Sequence, residues 1–117
     1  MDLSTVKKPD FVVKQGATFS KHVTWFNSSG GAVNITGYTA RMHLRRKITD
    51  SDPSFILTTE NGRITLGGVT GTVDLLIAAS DTSTLSGNYV YDVELVSGDY
   101  VKRLLQGTIT VDPEVTR

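Results

Sequence analysis

Two histidines, a pair of nearby carboxylates and one basic run are the residues here whose types could do chemistry. His22 and His43 each fall on the outward side of a different predicted strand. If those strands were sheet neighbours the imidazoles could meet. The pattern supplies no third ligand, whereas a structural zinc takes four and a catalytic one about three, so no metal site is expected. Asp92 and Glu94 stand two apart and therefore share one side of a strand. A glycoside-cleaving pair would need a cleft and surroundings that separate the two pKa values. A solvated strand face, or one turned toward Arg41 and Arg45 across a sheet, accounts for the same spacing more simply. Serine and threonine are plentiful, and none sits in a Gly-x-Ser-x-Gly elbow. The glycines between Gly62 and Gly71 have no Gly-Lys-Ser/Thr ending and no following helix, so they read as turns. The expectation is no catalytic residue, no cofactor-binding residue and no cofactor.

Arg41, His43, Arg45, Arg46 and Lys47 crowd one strand and its exit. A nucleic-acid surface is the sharp reading, and a charged sheet face that meets Asp92 and Glu94 is the plain one. No exposed aromatics interleave the run, as base stacking would require. The chain also balances 12 basic against 12 acidic residues, while nucleic-acid affinity comes largely from phosphate neutralisation. Neither nucleic acid nor membrane is an expected partner. Zero net charge does remove one barrier to self-association.

The elements that must position these residues are strands. Tyr38, Ala40, Met42 and Leu44 alternate with Thr39, Arg41, His43 and Arg45; Tyr89, Tyr91, Val93 and Leu95 alternate with Val90, Asp92 and Glu94; Val73, Leu75 and Ile77 form a third apolar row. This period of two belongs to half-buried strands. Phe19, Val23 and Trp25 share a face that Lys21 interrupts, its stem lying along the core edge. Asn27–Gly31 reads as a hairpin loop, Asn61-Gly62 as the pair favoured in type I′ turns, Gly67–Gly71 as a turn, Asp50–Pro53 as an excursion and Ser97–Asp99 as the closure of the last hairpin. The predicted strands are 10–15, 17–26, 36–46, 54–59, 63–66, 71–78, 87–97 and 99–111.

The one helical candidate is Ala79–Leu85, with Ser80 or Asp81 as its cap and Gly87 as its end. It precedes Gly87-Asn88-Tyr89 at a strand start, which looks like a crossover between sheets. In immunoglobulin-like sandwiches a tyrosine so placed hydrogen-bonds back to the corner backbone; Gly87 and Tyr89 are the candidate corner, with a plain core tyrosine as the alternative. The expected fold is therefore all-β, an immunoglobulin-like antiparallel β-sandwich of about seven to eight strands. Residues 1–9 are expected to form a flexible N-terminal arm, 10–112 the sandwich domain and 113–117 a C-terminal tail.

The 117-residue length suits one domain that can bury a core without staples. There are no cysteines, which excludes disulfides and leans toward a reducing compartment. The first nine residues lack the apolar region of a signal peptide. Asn27-Ser28-Ser29 and Asn34-Ile35-Thr36 match the glycosylation triplet, a frequent chance pattern.

Four stretches carry a resemblance: Gln15–Phe19, Ile35–Met42, Gly87–Leu95 and Leu104–Val111. Together and in this order they resemble small tail-associated virion proteins of tailed bacteriophages, and the immunoglobulin-like N-terminal domain of baseplate upper proteins. The resemblance implies a non-enzymatic structural part of the virion, assembled in the bacterial host cytoplasm. It implies tail, baseplate or fibre components as partners, and a homo-oligomer in place. The chain ends soon after the sandwich, which favours an adaptor or connector over a receptor-binding role. Val6, Phe11, Arg41, Arg45, Asp92 and Glu94 are the candidate interface residues, although for Phe11–Val13 the favoured reading is the domain's own first strand. A carbohydrate-binding or head-decoration module is the alternative; the former would need Trp25, Phe26, Tyr38 or Tyr100 as an exposed platform.

Overall fold

Alternating apolar residues give one flat hydrophobic face per strand, and two sheets bury those faces against each other. The computed structural model describes residues 8–116 and has this form. Its strands are β1 (Phe11–Lys14), β2 (Phe19–Thr24), β3 (Thr39–Arg45), β4 (Phe55–Thr58), β5 (Ile64–Leu66), β6 (Thr72–Ile77), β7 (Gly87–Ser97) and β8 (Tyr100–Asp112), with a short 3-10 turn (Gly68–Thr70) between β5 and β6 and a helical turn, α1 (Ala79–Thr82), between β6 and β7. One sheet has the order β1-β8-β7-β3-β4 and the other β2-β6-β5. The described residues form an all-β, immunoglobulin-like sandwich of eight strands. No helix among the described residues is long and apolar enough to cross a membrane.

Each predicted strand has its counterpart, and the apolar rows point inward. Ala40, Met42 and Leu44 on β3 meet Val73, Leu75 and Ile77 on β6 and Tyr89, Tyr91, Val93 and Leu95 on β7 in one buried cluster. Full burial of each large aliphatic is worth about 1.5–3 kcal/mol. Trp25 belongs to this core at 7% exposure. Lys21 lies as expected, with Nζ 5.7 Å from the centre of the Phe11 ring.

Several expectations are corrected. The sandwich is not wholly antiparallel, because β1 pairs in parallel with β8, Phe11 opposite Ile109. Phe11 is buried in its own domain's core, stacked on Tyr91 at 5.2 Å, and is not available to an interface. Val6 lies outside the described residues. Asn61-Gly62 does not close a type I′ hairpin. That turn needs positive φ at both central residues, yet every positive φ among the described residues belongs to a glycine, and β4 and β5 lie in different sheets. The Asn61 carboxamide instead organises a crossover: its Oδ1 accepts from Thr58 N and Arg63 N, and its Nδ2 donates to the Ile56 carbonyl. The helical turn has Ala78 as its N-cap and no side-chain cap, so neither Ser80 nor Asp81 serves, and Gly87 opens β7 instead of ending the helix.

One glycine is demanded by close packing between the sheets' connections. Gly71 has φ 67°, and a Cβ there would stand 2.7 Å from the Val33 carbonyl oxygen. Its own carbonyl accepts from Trp25 N at 2.8 Å, which fixes the indole as it enters the core.

Candidate functional site

The charged residues singled out in the sequence converge on the outer face of the five-stranded sheet. Strand β7 is central, with β3 on one side and β8 on the other. Its outward positions are Val90, Asp92 and Glu94. The register sets Glu94 between Arg41 and Arg103, Asp92 between His43 and Gln106, and Val90 between Arg45 and Thr108. An acidic column thus runs between two columns bearing bases. Arg41 Nε donates to Glu94 Oε1 at 2.9 Å. Arg103 lies 3.6 Å from Asp92 and 3.7 Å from Glu94. Glu94 is the anchor, since its side chain is 20% exposed and it meets two guanidinium groups.

The expected facing of Arg45 and the two acids is corrected. Arg45 sits opposite Val90 and turns away, donating to the Asp50 carbonyl at 3.1 Å and to His43 Nδ1 at 3.2 Å. The two histidines do not meet, because β2 and β3 belong to different sheets; His22 pairs with Asp74 on β6. Among the described residues no group of three or more His, Asp or Glu side chains is placed to hold a metal.

Arg103 escaped the sequence reading because β8 is irregular. Residues 93 and 94 of β7 face Leu105 and Arg103, so Leu104 is an extra residue in a bulge. The signal was the doublet Leu104-Leu105 in an alternating strand, both fully buried. The bulge resets the alternation and turns Arg103 outward beside the acids.

Toward the β1 end this face sinks into a trough of about 740 Å³. Val90, Gly107 and Thr108 are among the residues lining it, as are Lys8 and Asp10 ahead of β1 and Ile48 on the loop after β3. Gly107 is required here: a Cβ would come 2.4 Å from the Pro9 carbonyl oxygen. That oxygen accepts from the Tyr91 hydroxyl at 2.6 Å. Asp10 Oδ1 then accepts from Thr108 N and Oγ1. Burial, and after it the Asp10 charge, pushes the Tyr91 phenol well above its ordinary 10.0. Pro9, assigned by sequence to the arm, is thereby tied to the domain.

The Gly87 and Tyr89 corner sits at the same end of the sandwich. Ser86 N donates to the Tyr89 hydroxyl at 3.2 Å. Arg46, read in the sequence as part of a basic run, covers this corner, with its guanidinium 4.1 Å from the Tyr89 ring centre and a bond to the Asn88 carbonyl. Close by, Gln15 joins two segments, donating to the Leu85 carbonyl and accepting from Glu114 N. The buried Thr82 hydroxyl donates to Ala17 O and accepts from Gly16 N. Asn27 and Asn34, the glycosylation-type asparagines, spend their side-chain oxygens on local turns.

The aromatic candidates fall at the opposite end. Trp25 is internal, Tyr38 packs edge-on against it, and Tyr100 packs edge-on against Tyr38. Fold and face together define an immunoglobulin-like sandwich whose distinctive outward feature is a banded ionic surface. No protein-family model matches this chain, and no curated protein matches it.

Proposed function

We propose that this chain is a non-enzymatic structural module of a tailed-bacteriophage particle, a repeated connector in the tail, baseplate or fibre attachment region. The observation that supports this reading is where the four stretches of the resemblance fall. Gln15–Phe19 is the turn bound to the helical corner, Ile35–Met42 leads into β3, Gly87–Leu95 is most of β7, and Leu104–Val111 is most of β8. They build the central strands of the larger sheet and the corner that feeds it. The reactive side-chain types on that sheet are engaged with one another: carboxylates with guanidiniums, and imidazole with guanidinium. Such an arrangement presents a rigid patterned surface, which suits a part that works by contact. In a symmetric particle many copies add modest contacts into a stable whole.

The test is recovery of the chain with purified, high-salt-washed phage particles, measured by quantitative mass spectrometry. A fixed copy number per particle is expected. Its absence from washed particles would overturn the reading.

A further inference from the structure

We propose that the banded face of the five-stranded sheet pairs with the same face of a second copy of this chain. The proposal rests on the connector reading above and names the contact such a module would use with itself. What carries it is the order of charge across the sheet. The acids Asp92 and Glu94 stand on β7, and Arg41 and His43 stand beside them at the same heights on β3.

An isologous contact needs a surface that complements itself when rotated by 180°. Take a two-fold axis that runs parallel to the strands, in the plane of contact, midway between β3 and β7. Rotation about it lays β7 of each copy over β3 of the other and leaves heights along the strands unchanged. Glu94 then faces Arg41 of the second copy, and Asp92 faces His43. Each contact is made twice. Moving the axis onto β7 would set acid on acid, and moving it between β7 and β8 would keep Glu94 against Arg103 but leave Asp92 against the uncharged Gln106, so the charge order favours the position between β3 and β7. The aligned packing of twisted sheets offsets the strands by about 30°, which leaves the central rows in contact.

The same rotation treats the trough and its wall as a pair. Ile48 stands on the β3 side at 85% exposure, and the trough reaches across to Gly107 and Thr108 on β8. The axis carries Ile48 of each copy toward the β8 side of the other's trough. Ile56 and Val101 add exposed apolar surface. Four strands overlap, β8 and β7 of each copy lying on β4 and β3 of the other, and at about 4.8 Å per strand they make a strip roughly 19 Å wide. Over a length of about 25 Å this buries on the order of 1,000 Å² in total, the lower bound of specific interfaces. A reversible, salt-sensitive dimer follows.

The experiment is sedimentation equilibrium of the purified full chain over a concentration series at low and high salt. Wild type is expected to reach twice the 12.7 kDa chain mass, with weaker association at high salt. Glu94→Arg and Arg41→Glu are each expected to weaken self-association about 100-fold, since both set like charges across the axis. Mixed in equal amounts, the two variants should associate again, because every cross-axis pair is then complementary. Circular dichroism and thermal melts establish that each variant is folded. Ile48→Asp, on an exposed loop, should weaken the dimer about 10-fold with an unchanged melt. A wild type that stays monomeric throughout, variants that associate like wild type, or a mixture that stays monomeric would each overturn the proposal. These outcomes are independent of recovery from washed particles, so either reading can fail alone.

Discussion

The outer faces of the two sheets rest on the same alternation and differ in what fills the outward positions. On the five-stranded sheet those positions carry Arg41, Glu94 and Arg103 in one row and His43 and Asp92 in the next. On the three-stranded sheet they carry Ser20, His22, Thr24, Thr65, Thr72, Asp74 and Leu76, and His22–Asp74 is the one contact between ionisable side chains among the described residues there. Threonine and serine suit a strand facing water, and they make no demand on a neighbour. Charges in adjacent rows constrain each other. The larger face also contains a trough beside Val90 and Thr108, whereas the smaller face has mostly polar cover. One face is therefore arranged and the other merely solvated, and substitutions should tell them apart.

The largest effect should come from Gly107→Val. Its side chain enters the space of the Pro9 carbonyl and separates β1 from β8. A loss of about 2–3 kcal/mol is expected from overpacking of this kind, read from urea denaturation midpoints. Next is Glu94→Ala, which leaves Arg41 and Arg103 without their shared acceptor. Partly exposed charged hydrogen bonds put this at about 1–2 kcal/mol, and added salt should shrink the difference.

Tyr91→Phe follows, at about 1 kcal/mol near neutral pH for the lost bond to Pro9. Its pH dependence is more telling. The unfolded chain ionises this phenol near pH 10, and the folded chain holds its proton to higher pH. The wild type thus keeps this contribution below pH 10 and loses it as pH rises further. Tyr91→Phe should show a shallower alkaline decline, measured by denaturation at stepped pH. The smallest effect belongs to the other face: Asp74→Ala should change stability by no more than about 0.5 kcal/mol, as exposed ion pairs do. If it matched Glu94→Ala, the contrast between the faces would be lost.

Much of the fold was legible because burial selects one side of each strand. The rows Ala40–Met42–Leu44 and Tyr89–Tyr91–Val93–Leu95 announce their inner faces, so the opposite residues are outward by necessity. That reasoning placed Arg41, Asp92 and Glu94 on one kind of surface before any partner was known. It lost Arg103, because a bulge shifts the alternation by one residue and the sequence marks it only by Leu104-Leu105. It misjudged Asn61-Gly62, since a dipeptide's turn preference yields to the need to cross between sheets. It also missed Gly107, whose role depends on Pro9, far away along the chain.

The sequence by itself determined that this protein is built of half-buried strands with a charged outer row, because side-chain period and burial are local properties of the chain. Which strands adjoin was decided only by the tertiary structure. Neighbourhood put β7 between β3 and β8, parted His22 from His43, and set β1 parallel beside β8. Pairing between distant segments depends on how two sheets close over a common core, and no short stretch of sequence contains that information. The banded face is the product of both: local alternation turned each charge outward, and strand order placed opposite signs side by side.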